Sequence, residues 1–161
     1  MKTVFGIIGT ILVGGILLTS CSVAVSQTMR PPTSTTTVEA SALVREVRLQ
    51  GGHSADGTEN PALCRLAQQH AKWMADNTTM SHAGSDQRFD EIQRLGGTAQ
   101  SEIVAYNSYS DLDQAAAVCA SSWRASPGHW ATMRERWDSY CYAMALGIDG
   151  YYCIGLVSNG I

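Results

Sequence analysis

The sequence predicts an α+β domain, a three-layer α-β-α sandwich around a small, mostly antiparallel sheet. Two observations carry this. Apolar residues recur at helical spacing over 61–77 and again from Asp111 to Trp123, the mark of amphipathic helices. By contrast, "YCYAMAL" (140–146) and "YYCIGLV" (151–157) are apolar on both faces, as strands covered from both sides are. Helices can supply that cover only from above and below, which gives three layers.

The elements follow in order. Residues 41–49 set Leu43, Val44 and Val47 among charges, a short amphipathic helix. A Gly/Ser/Asp loop covers 51–58, and Pro61 suits a helix first turn. Leu63, Leu66, Ala67, His70, Ala71 and Met74 then form a stripe to about residue 77. Residues 86–95 place Phe89 and Ile92 on one side, and Gly96-Gly97 ends that helix. "SEIVAYN" (101–107) alternates and sets Glu102 on one face with Val104 and Tyr106. Asp111 opens a helix striped with Leu112, Ala115, Ala116, Cys119 and Trp123. Ser126-Pro127 fits the start of another. A loop holding Gly147, Asp149 and Gly150 joins the last two strands as a hairpin.

The chain has 161 residues, 45% hydrophobic and 16% charged, the composition of a globular domain. Its net charge of −3 comes without any basic run, which makes nucleic acid a poor fit as a partner. The N-terminus differs from the rest. After Lys2, Val4 to Leu18 is an almost wholly apolar run of 15 residues, short for a membrane span and right for a signal-peptide core. It ends in Leu18-Thr19-Ser20-Cys21, which resembles a bacterial lipobox. That resemblance implies that 1–21 is a lipoprotein-type signal ending at Cys21, whose sulfur carries a lipid that holds the protein to a membrane. Residues 22–40, rich in Ser, Thr and Pro, read as a flexible tether reaching on the order of 25 Å. The folded domain is 41–161. Ser22, in place of an aspartate that favours inner-membrane retention, points to an outer surface or the periplasm.

With Cys21 lipidated, Cys64, Cys119, Cys141 and Cys153 remain, an even set in an oxidising compartment. Three connectivities are open and the sequence does not choose among them; the preferred pairing is Cys64–Cys119 with Cys141–Cys153.

Three polar residues stand between turn formers, where a scaffold presents functional groups: His82 in "MSHAGSD", Glu102 at a strand start, and His129 in "SPGHW". The segments "MSHAGSDQRFDEIQRLGG" and "SEIVAYNSYSDLDQAAAVCASSWRASPGHWATM", with the helix "LAQQHAKWMADN", resemble three ordered motifs of the CAP superfamily. This is the SCP domain of cysteine-rich secretory, antigen 5 and pathogenesis-related class 1 proteins. The likeness spans roughly 41–157. It implies an α-β-α sandwich with a surface cleft that gathers two histidines and an acid, which match His82, His129 and Glu102. The chain departs from the pattern where Gly-Glu-Asn becomes Ser101-Glu102-Ile103, and where Ser126 stands at the position of a second acid.

Two neutral imidazoles and a carboxylate suit zinc or another divalent metal with one position open. A helix N-terminus would disfavour imidazolium at His129 and keep its lone pair available. The leading expectation is a non-catalytic extracellular binding or interaction module whose cleft holds a metal, a lipid, a peptide or a cell-wall fragment. The alternative is a metal-dependent hydrolase, a peptidase or wall enzyme, using the same cleft. No Gly-x-Ser-x-Gly, His-Glu-x-x-His or Cys-x-x-Cys occurs, which leaves serine hydrolase, zincin and thioredoxin chemistries without support. His70 reads as a packed core histidine and His53 as solvated. Trp123, Trp130 and Trp137 read as core, and Asp86, Asp90 and Glu91 as a helix start and its wet face.

Overall fold

The computed structural model describes residues 35–161. The signal read over 1–21, Cys21 and the tether up to residue 34 lie outside the described residues. The first helix, α1 (Thr35–Leu49), begins six residues before the apolar stripe that predicts it. Val47 and Leu43 are fully buried, and a helix nucleated by such docking propagates cheaply into a polar flank.

The remaining order is β1 (Thr58–Glu59), α2 (Pro61–Asp76), α3 (Ser85–Arg94), β2 (Ala99–Asn107), α4 (Leu112–Ala125), α5 (Pro127–Arg134), β3 (Ser139–Leu146) and β4 (Tyr151–Asn159). Local chemistry sets the helix ends. The Asn60 carboxamide oxygen accepts from the amides of Ala62 and Leu63, with Pro61 in the first turn. The Asp111 carboxylate accepts from the amide of Gln114 to start α4.

The four strands form one mixed sheet, ordered β1-β3-β4-β2. β4 pairs antiparallel with β2 and β3, while β1 runs parallel to β3 through Thr58↔Ser139 and Glu59↔Tyr140. A two-residue strand is too short for any periodicity to announce it. The β3–β4 hairpin closes with the Gly147 amide donating to the Gly150 carbonyl at 2.8 Å. Gly150 sits at φ +144, and a Cβ there would collide with the Asn107 carbonyl oxygen. The turn therefore requires glycine.

Alternation along the strands divides the interior in two. Tyr140, Tyr142, Met144, Cys153, Val157, Ile103 and Ala105 join residues of α1, α4 and α5 in one cluster. Cys141, Ala143, Ile154, Leu156 and Val104 join residues of α2 and α3 in the other.

This division corrects the preferred disulfide pairing. The bonds are Cys64–Cys141 and Cys119–Cys153. Cys64 on α2 and Cys119 on α4 belong to different clusters, so a bond between them would have to pass through the sheet. Cys141 and Cys153 are not opposite one another: Cys141 faces Leu156, and Cys153 faces Met144. Each disulfide instead ties one helix to the strand it packs on. Sequence spacing carries no information about which face of a strand a cysteine occupies.

Candidate functional site

β2 places Glu102 with its side chain 1% exposed, although it is a carboxylate. Its partners explain why that burial is tolerated. Arg88, on α3, donates from Nε to Glu102 Oε2 at 2.6 Å and from Nη2 to Oε1 at 2.9 Å, the two-pronged geometry that suits guanidinium and carboxylate. His82 Nδ1 lies 2.8 Å from Oε1. Three hydrogen bonds thus converge on one carboxyl group.

Arg88 is itself fixed from behind. Nη1 donates to the Ala83 carbonyl at 3.0 Å and faces His70 Nδ1 at 3.1 Å. His70 Nε2 lies 2.7 Å from the Ser81 carbonyl. A carbonyl only accepts, so Nε2 carries the proton and Nδ1 offers a lone pair to the guanidinium. Burial holds the His70 imidazole below its ordinary pKa of 6.5, against the raising effect of the Ser81 carbonyl, which agrees with the neutral tautomer. His70 is thus packed in the core, as expected, and also braces Arg88.

The outer layer is the two remaining imidazoles. His82 keeps 49% of its side chain exposed. His129 stands in the first turn of α5, its ring centroid 6.2 Å from that of His82 at 44°. Burial, and then the charge of His82, hold His129 below 6.5. Beside it, a Cβ on Gly128 would meet nothing within 4 Å, so this side of α5 is open. Ser126 occupies the N-cap position of α5 but makes no side-chain capping bond.

α5 is docked by its neighbours rather than by that serine. Thr132 Oγ1 meets Ser101 Oγ of β2 at 2.8 Å, one residue from Glu102. Trp137 Nε1 donates to the Thr132 carbonyl at 3.1 Å. Of the tryptophans, Trp123 and Trp137 are buried, while Trp130 is partly buried beneath the Arg124 guanidinium, 4.7 Å from its ring centroid.

The Glu102 carboxyl is therefore a positioning group. Its hydrogen bond to Nδ1 leaves Nε2 of a neutral His82 as a lone pair. The two imidazoles stand with ring centroids 6.2 Å apart, and the Glu102 carboxylate is taken up by Arg88 and His82. Among the described residues, the trio whose ligand atoms lie within 4.8 Å of one another is Glu59, Cys64 and Cys141. Both of its sulfurs are in a disulfide, which leaves no thiolate to ligate.

Arg88 is the functional residue that sequence reasoning missed. Its signal was present: it falls four residues before Ile92, on the inward face of α3, and both are buried. A charge on an apolar stripe asks for a buried partner.

Compared with protein-family models and with curated proteins, the chain matches none.

Proposed function

We propose that residues 41–161 form an extracytoplasmic binding module of CAP type. Its His82/His129 face takes a divalent cation or a small ligand, and it catalyses no reaction. The observation that carries this reading is the state of Glu102: 1% exposed and hydrogen-bonded to Arg88 and His82. A carboxylate so held can neither reach a substrate proton nor ligate in the first coordination sphere without breaking its bonds to the guanidinium. What faces solvent is a pair of imidazoles, a set that suits zinc, copper or nickel. A bound ion would supply positive charge for an oxygen donor of the ligand.

The CAP reading draws on the three ordered motifs and on an α+β fold with helices packed on a small mixed sheet. The extracytoplasmic reading draws on two disulfides in a small domain, which oxidising compartments favour. It draws also on the lipobox-like Leu18-Thr19-Ser20-Cys21, through which an N-terminal lipid would hold the protein to a membrane.

The test is zinc binding by calorimetry, together with turnover of peptide and cell-wall substrates, on the wild type and on a His82→Ala/His129→Ala double variant. Saturable zinc binding lost in the double variant, with no turnover by either protein, is the expected result. Turnover abolished by the double variant would establish the hydrolase instead. For the anchor, a Cys21→Ser protein is expected to leave the membrane fraction.

A further inference from the structure

A concave site adjoins Arg88, and nothing in the imidazole pair accounts for it. It is a groove of about 390 Å³ between α2 and the start of α3, lined chiefly by Leu66, Gln69, His70, Trp73, Gln87 and Arg88. That volume falls within the usual range of small-molecule sites, about 300–1,000 Å³.

Trp73 is 41% exposed, a large apolar area left in water. Its ring is also held in place. It stacks on His70 with centroids 5.6 Å apart and planes 8° from parallel, and His70 is fixed at both ring nitrogens by Ser81 and Arg88. An indole stacked on a fixed ring and lining a groove loses little conformational freedom when a ligand ring is laid on it.

The polar lining narrows the ligand class. The Arg88 guanidinium is committed to Glu102, the Ala83 carbonyl and His70, and no carboxylate lines the groove. The remaining polar side chains are the carboxamides of Gln69 and Gln87, both at the surface. A carboxamide offers a donor and an acceptor side by side, which matches neighbouring hydroxyls on one ring. A charged ligand would find no partner here. A purely apolar one would desolvate both amides without replacing their hydrogen bonds.

We propose that this groove binds an uncharged saccharide, with the C–H face of a pyranose ring on Trp73 and its hydroxyls on Gln69 and Gln87. The site is distinct from the His82/His129 face and shares with it only the Arg88 clamp.

The experiment follows the Trp73 indole N–H in ¹H–¹⁵N spectra of the full-length, disulfide-bonded protein. Soluble oligomers of N-acetylglucosamine, of glucose and of mannose are added up to about 10 mM, a range that captures weak sites. A saturable shift of the Trp73 signal is expected with at least one oligomer. Trp73→Ala should weaken binding about tenfold or more, as loss of a stacking anchor does, while Trp73→Phe retains part of it. Gln69→Ala/Gln87→Ala should weaken binding with the fold intact. His82→Ala/His129→Ala should leave it unchanged, which separates this site from the metal reading. No Trp73 shift with any oligomer would overturn the proposal. So would a shift caused only by phosphatidylglycerol vesicles, because Trp73 would then be a membrane contact.

Discussion

Arg88→Ala is the substitution with the largest expected consequence. It removes both prongs from a carboxylate that is 1% exposed, and it takes the donor from His70 Nδ1. Breaking a buried ion pair by deleting one partner costs about 3–5 kcal/mol. Here the lower end applies, because His82 still bonds Oε1 and is half in water. About 3 kcal/mol should lower the melting temperature by on the order of 10 °C. Arg88→Lys should fall between, since an ammonium restores charge but not the fork. The companion is Arg88→Met/Glu102→Leu, which empties the site of both charges and should recover most of the loss. A double-mutant cycle in urea should then report a coupling on the order of 2 kcal/mol. An Arg88→Ala protein within about 1 kcal/mol of wild type would mean that Glu102 finds water when the guanidinium leaves, and that the clamp is not what keeps it buried.

Three further outcomes follow from the same geometry. The disulfides close loops with sequence separations of 77 and 34 residues, so chain entropy assigns about 4.5 kcal/mol to Cys64–Cys141 and about 3.8 kcal/mol to Cys119–Cys153; paired Cys→Ala variants in urea should rank in that order, and a non-reduced digest should yield those two cross-linked peptides. His129 and His70 both lie below 6.5 in the folded chain, so the unfolded chain binds their protons first. Stability should therefore fall as pH drops through about 6.5, and His129→Gln should flatten part of that slope in thermal melts. Gly150→Ala should destabilise the β3–β4 hairpin by more than about 2 kcal/mol, because a Cβ meets the Asn107 carbonyl oxygen at a positive φ; a melt unchanged from wild type would count against this turn.

What the chain discloses on reading is what repeats locally. The stripes of α2 and α4 and the doubly apolar β3 and β4 are written at periods of 3.6 and 2, and those elements lie where the pattern puts them. β1 has no period to show, and its place is set by pairing with Ser139 and Tyr140 of a strand some eighty residues away. The disulfide partners depended on strand register and face, which no local pattern records. At the site, turn residues marked His82, which the fold sets against Glu102 on one side and near the His129 ring on the other. The pattern could not disclose that Glu102 is sealed beneath His82. That follows from α3 laying Arg88 over β2, a contact between two elements, each of which looks ordinary alone. Arg88 itself stands among Asp86, Asp90 and Glu91, and only its spacing of four from Ile92 separates it from that wet face.

The hydrogen bond between His82 Nδ1 and Glu102 Oε1 assigns the ring proton to Nδ1 and leaves the Nε2 lone pair to a ligand. A long-range ¹H–¹⁵N spectrum of the histidine rings at pH about 7.5, well above the ordinary imidazole pKa, recorded before and after addition of zinc, tests this most directly. The expected result is a His82 proton on Nδ1, with zinc shifting Nε2 of His82 together with one ring nitrogen of His129. A His82 protonated at Nε2, or a zinc-induced shift at neither ring, would contradict it.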